Sequence, residues 1–262
     1  MTQIRSLAAY QDEAGNQIIS EEPLGDGISI NFLGRNNTVM VPAHARVAKL
    51  VVTFDGDNGR LALGNNRSVG PIKAVIRIGE DSEVRFGTNV STTDQCVISA
   101  VEGTKVVFGD DVMIASDNEF RADDGHPIFD IYSEKRVNTS RDIIIGNHVW
   151  FARKSCALGG ATVGSGSVIG FASVVTGKVP NNAVAVGSPA RVVRRNIAWE
   201  RIHLSMRQPP YKPDASTIVK TEEYWNPTDE PARVISPTDR IKLNIRHIRR
   251  RAWHVRHRLL NK

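Results

Sequence analysis

At 262 residues, with 40% hydrophobic and 24% charged residues, the chain has room for one or two globular domains and a full core. No segment approaches the roughly 20 apolar residues of a spanning helix. The start MTQIRSLAAYQDEAGN lacks a secretory apolar run, and Cys96 and Cys156 form neither a metal spacing nor a disulfide framework, so a reducing cytoplasmic location is expected. The net charge of +6 resides in the tail: residues 1–198 hold 20 Lys/Arg against 21 Asp/Glu, and residues 199–262 hold 14 against 7. With a neutral body and no helix-turn-helix, zinc finger or aromatic RNA-binding signature, nucleic acid is not the expected partner.

Residues 1–25 are polar and read as an irregular N-terminal cap. A repeat follows, weakly at first, in Leu33-Gly34, Leu63-Gly64, Ile78-Gly79, Phe86-Gly87 and Phe108-Gly109, then in clean register at Phe108, Ile114 and Phe120. Phase slips, such as the 15 residues from Leu63 to Ile78, predict bulges or small loops. From Ile145 the sequence reads in sixes as IGNHVW, FARKSC, ALGGAT, VGSGSV, IGFASV and VTGKVP. Each six opens on an apolar residue, and four positions on stands Val149, Ser155, Ala161, Ser167, Ser173 or Val179. A helix would space apolar residues by three and four, and an alternating strand by two, so a strict six fits neither. It fits a triangular parallel coil: each six is one short strand and a corner, three sixes close a turn, and turns stack at about 4.8 Å. The second residue is expected to be Gly because the backbone bends there without a Cβ penalty. The coil domain therefore spans residues 26–195, with stability close to a sum of per-turn terms.

Between Phe120 and Ile145 the period stops, which predicts an ejected loop over residues 121–142, where functional groups tend to lie. The coil ends at GSPARVV, and a short helix is expected near Asn196. Six prolines make residues 207–237 an extended linker. From Asp239, Ile241, Leu243, Ile245, Ile248, Trp253, Val255 and Leu259 alternate with nine Lys/Arg, predicting a basic amphipathic C-terminal helix within the 196–262 extension.

The stretch IGNHVWFARKSCALGGATVGSGSVIGFASVVTGKVPNNAVAVGSPARVVRR resembles the signature half of the maltose, galactoside and capsule-polysaccharide O-acetyltransferases, over roughly residues 75–198. That resemblance implies an all-β, left-handed parallel β-helix of hexapeptide repeats. It also implies acetyl-coenzyme A as donor, no metal, and a homotrimer with active sites at subunit interfaces. In that family a histidine in a D/T-x-H-P sequence is the general base, and a tryptophan lies 24 residues on. Asp123-Asp124-Gly125-His126-Pro127 and Trp150 match both. Acetyl transfer to a hydroxyl needs a base near pH 7, which neutral imidazole supplies; the other six histidines have no such context. Zinc chemistry on this fold would need three convergent histidines, and no third joins His126 and His148.

Carried over by position, Trp150 lines the thiol end of the coenzyme arm and a backbone N–H near Arg153 faces the oxyanion. Arg153, Phe171, Thr176 and Gly177 contact the coenzyme, and Arg191 and Arg194 meet its anionic nucleotide end, where a planar cation suits phosphate. Lys178 is displaced by one residue from the family's T-K-D pattern, which puts its phosphate contact in doubt. Asp117, Asp123 and Asp124 are candidates for orienting His126 or meeting the acceptor. The implied acceptor is a hydroxyl of a bacterial surface polysaccharide, capsule or lipopolysaccharide, or of its sugar precursor. Acylation of a sugar amine or antibiotic, and a catalytically silent scaffold, are the alternatives. The basic tail admits contact with the inner membrane surface, a grip on an anionic polymer, or packing on a partner subunit.

Overall fold

The computed structural model describes residues 2–203 and 218–229. Three sheets form the faces of a prism, and from Ile72–Ile78 onward each coil places one strand on each face. The first face runs from Ile28–Phe32 through Ile72–Ile78 and Glu119–Arg121 to Val174–Val175. The second runs from Gln17–Ser20 to Lys178–Val179, and the third from Ser91–Thr92 to Arg191–Arg195. Neighbouring coils pair in parallel.

The six-residue register describes the interior. Ile145, Phe151, Ala157, Val163, Ile169 and Val175 are all buried, as are the residues four positions after each. There the coil repeats every 18 residues, Ala157 pairing with Val175. Upstream it repeats about every 22, Ile76 pairing with Ile98 and Ile98 with Phe120. The extra residues lengthen strands of both the first and second faces: Cys96–Ala100 has five residues and Lys105–Phe108 four, against three in Cys156–Leu158 and two in Thr162–Val163. Adding an even number of residues to a strand of period two leaves the same side facing inward. One register shift, between Val47 and Lys49, matches the expected bulges.

Two details differ from expectation. Leu33 is 51% exposed, and Phe32 points inward instead, stacked on Phe54 at 5.2 Å. The second-position glycines do not serve a bend: neither Gly87 nor Gly109 has positive φ. A Cβ at Gly109 would lie 2.7 Å from the Gly146 carbonyl carbon, so glycine allows the next coil to approach. Left-handed corners fall to Asn89, Asp111, His148 and Asn182.

The segment expected as an irregular cap contains strands. Thr2–Ile4 pairs antiparallel with Ile28–Phe32, and Tyr10–Gln11 pairs with Gln17–Ser20. At the other end Arg191–Arg195 folds back antiparallel on Ala183–Val186. No helix starts near Asn196, because the backbone there is drawn back along the prism: Ile197 N donates to Asn182 O at 3.0 Å. Of the Pro-rich stretch, the described part holds a 3-10 turn at Glu222–Tyr224. The basic segment from Asp239 lies outside the described residues. Among the described residues no helix is long and apolar enough to cross a membrane.

Candidate functional site

The ejected loop leaves the first face after Glu119–Arg121 and rejoins the second at Ile143–Ile145, with Phe129 bridging Arg136 across its finger. Its base is tied to the coil through Glu102, which accepts from both Arg136 terminal nitrogens (2.6 and 3.0 Å) and from Ser140 Oγ (2.5 Å). The Arg136 bonds, then the Ser140 bond, hold the Glu102 carboxyl at about 2. Asn138 Nδ2 donates to His126 O at 2.8 Å and to Asp124 Oδ2 at 3.0 Å, while its Oδ1 accepts from Ile128 N. The His126 backbone is thereby fixed, while the residue is exposed and lines a cavity of about 480 Å³.

Asp123 lines the same cavity and is 5% exposed. Its Oδ2 accepts from Ser99 Oγ at 2.5 Å; its Oδ1, 3.6 Å from Arg77 Nη1, has no hydrogen-bond partner. Arg77 donates from Nε to Asp55 at 2.5 Å. Arg77, Ser99 and Arg121 are in register across three coils, which places these distant positions beside Asp123. Neither Arg77, Ser99, Glu102 nor Asn138 carries a motif that would single it out; only the strand register reveals them.

On the downstream side of the loop, a second cavity of about 440 Å³ is lined by Asp123, Asp124, Arg141 and Thr176. A third, of about 200 Å³, is lined by Thr176, Gly177, Lys178 and Arg191. The candidates His126, Asp123, Asp124, Thr176, Gly177, Lys178 and Arg191 thus follow one edge of the prism. Arg194 is exposed on the last strand, paired with Val184.

The remaining candidates lie elsewhere. Trp150 is on the third face, paired with Met113 and Val168. Arg153, at the corner beyond it, is paired with Asp117 at 3.1 Å, so that Asp117 stands apart from Asp123 and Asp124. Phe171 occupies the next coil's corner, 64% exposed, where Ala172 N donates to Arg153 O. The candidate residues of one chain therefore fall into two groups, on separate edges.

The chain matches no protein-family model. It is 30% identical over 206 residues to the polysialic acid O-acetyltransferase of Neisseria meningitidis, covering 77% of this chain and 94% of that protein. The chain belongs to the hexapeptide-repeat O-acetyltransferases. A second polysialic acid O-acetyltransferase, from Escherichia coli O1:K1 / APEC, is 41% identical over 124 residues. That match covers 47% of this chain and 38% of the other, so the chain spans less than two-fifths of that relative's length. The crystal structure of the polySia specific acetyltransferase NeuO is similar with a TM-score of 0.64 at 37% identity, covering 69% of this chain and 84% of that one. As a hexapeptide-repeat O-acetyltransferase the chain is an acyltransferase built on a left-handed β-helix. Among its described residues no group of three or more His, Cys, Asp or Glu is placed to hold a metal.

Proposed function

We propose that this acyltransferase moves the acetyl group of acetyl-coenzyme A to a hydroxyl of a bacterial surface polysaccharide, capsular or lipopolysaccharide, or of its sugar precursor. The polysaccharide named in its relatives, polysialic acid, is the first acceptor to test. The observation that carries the reading is the placement of His126: exposed side chain, fixed backbone, and the buried Asp123 carboxylate, one oxygen of which accepts no hydrogen bond, in the same cavity.

His126 takes the hydroxyl proton as the oxygen attacks the thioester carbonyl carbon. The new C–O bond forms, the tetrahedral centre collapses with cleavage of the C–S bond, and the imidazolium returns the proton to the departing sulfur. A backbone N–H near Arg153 donates to the oxyanion. Asp123 and Asp124, with Asp117 from the other group of residues, accept from acceptor hydroxyls. The coenzyme runs past Thr176 and Gly177 toward Lys178, Arg191 and Arg194, with Trp150, Arg153 and Phe171 on its other side.

Because the two groups of residues stand on separate edges of one prism, the complete site joins two copies, in a homotrimer with three such interfaces. His126→Ala lowers turnover by about 10²–10⁴-fold and leaves coenzyme A affinity within about 3-fold, as removal of a general base does. Thiol release from acetyl-coenzyme A, followed with a panel of capsular glycans, free sugars and sugar nucleotides, checks both donor and acceptor. Undiminished turnover in the variant would overturn the mechanism.

A further inference from the structure

His148 has no part in the chemistry above, yet it is 1% exposed and every polar atom of its ring is engaged. It stands at a left-handed corner, φ 50°, stacked between the equivalent corners Asp111 and Gly166 of neighbouring coils. Its Nδ1 meets Asp111 Oδ2 at 2.5 Å, and its Nε2 meets the Trp199 carbonyl oxygen at 2.9 Å. Both ring nitrogens thus have an oxygen partner, which fixes the plane of the imidazole. That ring lies between Trp199, with centroids 4.1 Å apart, and Tyr224, 4.6 Å away and nearly parallel. A ring held between two stacked aromatic faces is a strong local attachment.

The attachment is one of several that draw the chain after the last coil back along the prism. Trp199 Nε1 donates to His148 O at 3.0 Å. Arg201 donates to Asp111 Oδ1 at 2.5 Å, to Ser91 Oγ at 2.9 Å and to Asn89 O at 3.0 Å. Asn182 Nδ2 holds the carbonyls of Ile197 and Tyr224. Glu200 gathers Thr221 N and Oγ1 and Trp225 Nε1, joining residues 196–203 to residues 218–228. The result is a strap across the corner ladder, and its inner indole, Trp199, lies 6.0 Å from the ring of Trp150 at 44°.

Trp150 sits on a strand of two residues, half-buried on the outer surface of a thin prism. A large side chain in that setting keeps one rotamer only when something packs against it. We infer that the strap is a brace for the acetyl-donor site, with His148, Trp199 and Arg201 as positioning residues that hold the Trp150 indole in place. The inference rests on the assignment of Trp150 to the thiol end of the coenzyme. It gives the residues beyond the coil a role in donor binding that the hexapeptide register does not encode.

The test uses the full chain, titration calorimetry with coenzyme A, and hydrogen exchange of the backbone over residues 146–152 and 196–203. Trp199→Ala and Arg201→Gln should each weaken coenzyme A binding by about 10-fold or more, since small displacements of positioning groups have effects of that order. The Michaelis constant for acetyl-coenzyme A should rise, while that for the acceptor stays within about 2-fold. Trp199→Phe, which keeps the stack, should restore most of the affinity. Arg201→Gln, at the outer end of the strap, serves if Trp199→Ala fails to fold. Wild-type affinity in Arg201→Gln, with faster exchange over 196–203, would overturn the brace alone. Failure of the unaltered chain to bind coenzyme A would overturn the donor-site reading and the brace with it.

Discussion

Phe120→Ala tests whether the interior column of aromatic rings holds the coil that launches the catalytic loop. Phe120 is fully buried and meets Phe108 edge-on at 4.7 Å and Phe151 at 4.9 Å. Truncating a buried phenylalanine costs about 3–5 kcal/mol, and two ring pairs at about 0.5–1.5 kcal/mol each are part of that sum. The upper half of the range is expected because Phe120 is laddered to Ile98 on one side and Ala157 on the other. Backbones held on both sides cannot close over the cavity. A loss near 4 kcal/mol is a large share of the roughly 5–15 kcal/mol that stabilises a typical domain. It should lower the urea midpoint by about 1–2 M and speed hydrogen exchange over residues 119–126. Phe120→Leu, which leaves less empty space, should lose about a third as much. A loss below about 1 kcal/mol in Phe120→Ala would show that the coils relax into the space, and would refute the rigid-column argument.

Three further outcomes follow from the same structure. The Glu102 carboxyl, lowered from 4.5 to about 2 by Arg136 and Ser140, contributes loop anchoring that is full above pH 4.5 and lost as pH falls through about 2. Hydrogen-exchange protection over residues 123–142, taken relative to the intrinsic rate at each pH, should fall across that window, and Glu102→Gln should remove the dependence. Gly109→Ala should destabilise the coil by about 1–3 kcal/mol in chemical denaturation, because its Cβ would press on the Gly146 and Asn147 backbone. A neutral outcome there would mean that adjacent coils can separate locally. Deleting residues 238–262 should reduce sedimentation with anionic vesicles, given nine Lys/Arg after Asp239; equal sedimentation would exclude membrane attachment by the tail.

Much of the fold was legible because a six-residue period has one geometric solution. The inward residues from Ile145 to Val179 follow from counting, since three sixes return each position to the same face. The interruption after Phe120 likewise announced an ejected loop, and the resemblance singled out His126 within it. Upstream, counting in sixes missed Leu33, because Phe32 is the inward residue and one extra residue stands between it and Gly34, as Asp55 does between Phe54 and Gly56. The second-position glycines were legible as a pattern, but their cause was not: it is the distance to the next coil's backbone, which no single coil contains.

The tertiary structure alone decided which distant residues share a cavity. Asp123 meets Ser99 and Arg77 because parallel strands stack in register about 22 residues apart, a spacing with no signal in any one segment. It likewise separated Asp117, Trp150, Arg153 and Phe171 from His126, although all fall within 54 positions of one another in the sequence. And it drew Trp199 and Tyr224 back onto His148 and Arg201 onto Asp111, where a short helix was expected near Asn196. A helix near Asn196 would satisfy its own backbone; the strap satisfies a buried imidazole, a carboxylate and three aromatic rings together, and those partners exist only once the coils have stacked.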